Sequence, residues 1–112
     1  NAAVLVVVIS RKTFESNEKP SHTHSFDTGA AWENLAIEGE TRGLVTHGME
    51  GFNYEKAREI LEIPDEYQIE AMIAIGKADS LDVLSPELRE MEKPSARKPL
   101  GEIIMEGKFR KN

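Results

Sequence analysis

The chain has 112 residues, enough for one domain with a modest core. A formal net charge of −6 argues against a phosphate-backbone binder, which needs a concentrated basic face, and the absence of cysteine excludes disulfides and thiolate metal sites. The apolar run Ala2–Ile9 is far shorter than the ~20 residues that span a bilayer and carries no basic leader or cleavage site; a cytoplasmic protein with neither nucleic acid nor membrane as partner is therefore expected.

Ala2–Ser10 reads as a strand, rich in β-branched residues and apolar on both faces, the pattern of a buried central strand. The sequence opens directly on this run and without an initiator Met, as the remainder of a longer chain would, or as a fold that simply begins there. A polar loop, Arg11–His24, follows. Ser25–Arg42 reads as the main helix, with Ser25 or Asp27 acting at its N-terminus, small residues such as Ala31, Ala36 and Gly39 permitting close approach, and Gly43 ending it.

Leu44–Thr46 reads as a short extended piece and His47–Gly51 as a loop. Asn53 is placed to cap a helix over Tyr54–Leu61, whose inner face would be Ala57, Ile60 and Leu61, with Pro64 closing the unit. Ile69–Ile75 is a second buried strand. Pro86–Met91 suits one or two helical turns, Lys93–Pro99 is basic and proline-punctuated, and Gly101–Met105 reads as a short edge strand or an extended tail. Strands alternating with helices make the class α/β or α+β, organised as one domain over residues 1–112.

Most polar clusters have ordinary readings. His22 and His24 suit a metal, but only Asp27 lies near enough in sequence to join them, and a polar loop is the simpler reading. Asp27, Glu33, Glu38 and Glu40 spread along a helix as a solvated face does. No phosphate-cradling glycine motif and no nucleophile elbow is present, so no catalytic side chain and no metal ligand is assigned. Two segments carry more. Gly43–Phe52 surrounds an apolar strand with three glycines: either an ordinary strand-to-helix turn, or a place where backbone could come close to a flat ligand with the Gly51 N–H facing a ring heteroatom. Lys93–Leu100 is the densest cationic stretch, either a solvated tail or a proline-punctuated arm whose three cations could grip a phosphate.

Taken together, Ala2–Ile9, Phe26–Ala31 with Asn34-Leu35-Ala36, Gly43-Leu44, Gly48-Met49-Glu50-Gly51-Phe52, Ala71–Gly76 and Arg97-Lys98-Pro99-Leu100 resemble the nitroreductase family in order and spacing. The resemblance implies an α+β fold with a central mixed sheet and flanking helices, truncated here at the N-terminus. It implies FMN bound in a homodimer and reduction of nitroaromatics, quinones or enones with NAD(P)H, the flavin carrying the chemistry. Carried over by position, Glu50 and Gly51 face the flavin ring, with the Gly51 N–H the donor near N5, and Met49 and Gly48 line the same edge. Arg97, with Lys98, matches the cation that holds the FMN phosphate; Ser95 stands where many relatives have a further cation. The family's N-terminal arginine- and serine-rich segment, which grips the phosphate and ribityl chain, has no counterpart here. Three outcomes follow: a flavoprotein oxidoreductase completed by further sequence or a complementary chain, a non-catalytic remnant persisting as a homodimer, or a small binding module unrelated to flavin.

Overall fold

A computed structural model describes residues 2–109. The chain forms two compact units that divide between Ala78 and Asp79. The first contains strand β1 (Val4–Arg11), helix α1 (His24–Thr41), strand β2 (Val45–Met49), helix α2 (Tyr54–Ile60) and strand β3 (Tyr67–Gly76). The second contains a 3-10 turn (Leu81–Val83) and helices α3 (Pro86–Met91) and α4 (Leu100–Ile103). The fold is α+β, and among the described residues its sheet is antiparallel, in the order β1-β3-β2.

That order corrects one expectation. β3 is the central strand and β1 lies at an edge, with Val4 and Leu5 exposed. An all-apolar run therefore marks two covered faces only when covering elements are present, and on β1 one face is left open. The register shows which. Residues directly opposite point to the same side of a sheet. Val6, Ile73 and Gly48 form one row, and Val4, Ile75 and Thr46 the next. α1 packs over these rows, and Ile73 beneath it is 1% exposed. The opposite face carries Leu5, Val7, Met72, Ala74 and Met49.

Between Val8 and Ile9 the ladder slips. Val8 stands opposite Ala71 but Ile9 stands opposite Ile69, so Glu70 is an extra residue on β3. Such a bulge turns two successive side chains to the same side. Glu70 and Ala71 consequently both face α1, in a strand that otherwise alternates.

α1 starts one residue earlier than expected. Thr23 is its N-cap but makes no side-chain cap to a backbone N–H; Asp27 stands in the first turn, as expected, and accepts from the Thr23 hydroxyl, while Ser25 donates to Glu70. Gly43 ends the helix in the left-handed region, φ 68°, as expected of a C′ glycine. β2 is longer than the sequence suggested. It runs on through His47, Gly48 and Met49, because Gly48 and Met49 pair with Ile73 and Met72, and the ladder offsets the low strand preference of glycine.

α2 is capped as expected, with the Asn53 Oδ1 accepting the Lys56 N–H at 2.8 Å. Its inner face is smaller than expected: Ile60 and Leu61 are exposed. The Arg58 guanidinium holds the unit instead, donating to the carbonyls of Ile63, Pro64 and Tyr67 at 2.8–3.0 Å.

In the second unit, Ser85 accepts from the Leu88 N–H and Pro86 opens α3, which spans the expected residues. Leu100–Ile103 is a helical turn rather than the strand or extended tail expected of Gly101–Met105, since Pro99 supplies a helix-compatible start and the Ile104 N–H closes on the Leu100 carbonyl. Among the described residues no helix is long and apolar enough to cross a membrane.

Candidate functional site

The Gly48–Phe52 segment leaves the sheet at the end of β2. Gly48 and Met49 are still in the ladder, on opposite faces of the strand: Gly48 toward α1, Met49 away from it beside Met72. Glu50 and Gly51 follow in a tight reversal closed by the Phe52 N–H on the Glu50 carbonyl at 2.8 Å. The Phe52 ring then stacks on Tyr54 in the first turn of α2, centroids 4.2 Å apart. The turn is thus anchored by a ladder on one side and by a capped helix on the other.

Glycines at this site answer to different demands. At Gly48 an added Cβ would stand 3.4 Å from Cζ2 of Trp32, so the indole carried by α1 reaches it. At Gly39, on α1, a Cβ would stand 2.8 Å from Cγ2 of Thr46. Helix and strand therefore approach through one glycine each. Gly51 differs from both. A Cβ there would meet nothing within 4 Å, its φ is not positive, and among the described residues its N–H has no acceptor. Nothing within its own chain requires glycine at 51, and its backbone donor is open to whatever approaches.

The other assigned residues lie in the second unit. Arg97 donates to its neighbour Ser95, at 2.6 Å to Oγ, and Lys93 pairs with Glu90. Lys98 has no partner among the described residues. Ser95 at the position of the relatives' second cation thus serves as an acceptor for the remaining one.

Three residues have partners that the sequence did not reveal. Glu70, delivered by the bulge, accepts from Ser10 Oγ at 2.5 Å and Ser25 Oγ at 2.6 Å. His24 Nδ1 sits 2.8 Å from Ser10 Oγ and 3.6 Å from the same carboxylate. The cluster ties the start of α1 to β1 and β3. His24 and Asp27 are engaged separately, His24 beside Ser10 and Asp27 accepting from Thr23 at 3.1 Å. Partial burial pushes the Glu70 carboxyl up, but the bonds from Ser10, Ser25 and Gln68 and the charge of His24 outweigh it, and its pKa is lowered. A lone carboxylate inside the apolar run Ile69–Ile75 was the available signal, because such a group needs partners. Trp32 is the third. Two cavities between α1 and the sheet, of about 190 and 520 Å³, both border it.

The fold has counterparts among known proteins. The chain is similar to a crystallised oxidoreductase containing FMN, with 44% identity and a TM-score of 0.88, covering 97% of this chain and 57% of that one. It is 33% identical over 76 residues to protein DrgA of Synechocystis sp., which covers 68% of this chain and 34% of DrgA. It is 27% identical over 109 residues to an uncharacterized 15.4 kDa protein of Mycolicibacterium smegmatis, covering 96% of this chain and 72% of that protein. The chain thus spans little more than half of the FMN-containing oxidoreductase and about a third of DrgA. The nitroreductase family profile matches residues 1–77, the whole of the sheet and both helices of the first unit, and the chain belongs to the nitroreductase family.

Proposed function

We propose that this protein is an FMN-dependent oxidoreductase whose own contribution to the flavin site is the Glu50–Phe52 turn. The observation that carries the reading is Gly51: a glycine whose position no neighbour and no backbone angle demands, with an unpaired N–H, at the end of an anchored strand. Those features fit the edge of a flat ring system, which needs close backbone approach and one directed donor.

In this reading the Gly51 N–H donates toward N5 of the isoalloxazine, where a donor favours the electron-rich reduced ring. Glu50 and the backbone of Gly48 border the ring, and Met49 supplies apolar contact. Arg97 and Lys98, in the second unit, keep only the assignment that the resemblance gives them, as cations suited to a phosphate. Bound FMN would supply the hydride chemistry, taking a hydride from NAD(P)H and passing reducing equivalents to a nitroaromatic, quinone or enone. The protein works as a homodimer or with a complementary chain, and the apolar face on which Leu5 is exposed and Val7 and Met72 are half-buried supports such an assembly. A reducing cytoplasmic location accords with the absence of cysteine.

The test is an anaerobic assay of the purified chain with FMN, NADH or NADPH, and a quinone. NAD(P)H oxidation that depends on both the chain and FMN is expected, and is lost in Gly51→Pro, which has no N–H to donate. A rate equal to that of free FMN would count against the reading.

A further inference from the structure

We propose that Trp32 is a positioning residue for the Glu50–Phe52 turn: its indole, lying on the open face of Gly48, sets where the end of β2 sits and thereby where the Gly51 N–H points. The consequence for catalysis rests on the flavin reading above, whereas the positioning itself is a property of the chain without flavin.

Gly48 lies inside a ladder, where glycine is disfavoured, and its φ is not positive. What its lack of a side chain admits is the indole, with Cζ2, Cε2 and Nε1 all within 3.9 Å of where a Cβ would be. A methyl there would touch the ring at 3.4 Å; a branched side chain would have to displace it. Val6 and Ile73 complete the row across the sheet, so the ring finishes a line of side chains in which β2 contributes none.

The surroundings make that contact matter. The larger cavity borders Trp32 toward β1 and the smaller borders Trp32 and Gly48 together toward the bulge, so the indole is loosely held on those sides and its approach to Gly48 is the contact that locates it against β2. From Gly48 to Gly51 the chain has little slack. Met49 is paired, Glu50 and Phe52 are joined by a 2.8 Å bond, and Phe52 is stacked on the capped helix. A shift at Gly48 has no loose segment to absorb it before Gly51.

The sequence contains one tryptophan, so indole emission reports the surroundings of Trp32 alone. The test compares ¹⁵N amide spectra of the full chain with those of Trp32→Ala, Trp32→Phe, Gly48→Ala and Gly48→Val, together with FMN affinity. Trp32→Ala and Gly48→Val are expected to shift the Glu50, Gly51 and Phe52 resonances and to weaken FMN binding or flavin reduction by about 10- to 100-fold, the scale of a misplaced contact. Trp32→Phe, which keeps a flat ring, is expected to stay near the parent in both, and Gly48→Ala, whose methyl fits beside the indole, to leave the Glu50, Gly51 and Phe52 resonances near the parent's. Turn resonances unchanged in a folded Trp32→Ala would overturn the proposal. Should that variant not fold, Gly48→Val against Gly48→Ala decides by the same comparison, equal spectra overturning it. Shifted turn resonances in a chain that binds no FMN would leave Trp32 as the positioning residue and remove the flavin reading.

Discussion

Gly39, Gly43 and Gly51 are glycines for three separate reasons, and substitution separates them. Gly39→Ala gains helix propensity of about 1 kcal/mol but drives a methyl to 2.8 Å from the stiff Thr46 side chain, where overpacking costs about 1–3 kcal/mol. A net loss of about 1 kcal/mol is expected in urea melts, relieved when Thr46→Ser removes the opposing methyl. Gly43→Ala meets no neighbour but must keep a φ of 68°, so a loss of about 1–2 kcal/mol is expected from backbone conformation alone. Gly51→Ala meets neither demand and should leave the melt within about 0.5 kcal/mol of the parent while weakening flavin binding. Glu70 adds a pH dependence. Its pKa is lowered in the folded chain, so its contribution is present above the unfolded value of ~4.3 and is lost as pH falls through the folded value. Thermal melts of Glu70→Gln should therefore fall less steeply than the parent's as pH drops below about 5; an equal slope would show that the cluster is not a charged anchor.

At the scale of the element, legibility in the sequence followed local signals. α1, α2 and α3 were readable because each had its own marks: Gly43 after α1, Asn53 before α2, Ser85-Pro86 before α3. Asn53→Ala is accordingly expected to cost about 0.5–2 kcal/mol, as lost caps do, measured by chemical denaturation. What was not readable depended on partners far along the chain. β2 extends over Gly48 and Met49 only because β3 pairs with them, and the slip that turns Glu70 toward α1 exists only between two strands. The edge position of β1 likewise belongs to the sheet and not to its eight residues. The candidate turn was readable as glycines beside an apolar run. Its support, Trp32 on Gly48, was not, since those residues lie on separate elements and meet only in the fold.

At the scale of the molecule, one face of the sheet is covered by α1 and the other presents Leu5, Val7, Met72 and Met49. Apolar surface of this kind, next to an edge strand, favours association. Sedimentation velocity is expected to show a dimer at micromolar concentration, and Leu5→Lys on the open face to shift it toward monomer; a stable monomeric parent would contradict the assembly. The account as a whole turns on whether the Glu50–Phe52 turn holds flavin. The most direct measurement is titration of the purified chain with FMN, following quenching of flavin fluorescence, with Gly51→Pro as control. Saturable quenching in the parent, weakened about tenfold or more in the control, is the expected result. No saturation up to roughly millimolar FMN, where binding amounts to only ~4 kcal/mol, would contradict it.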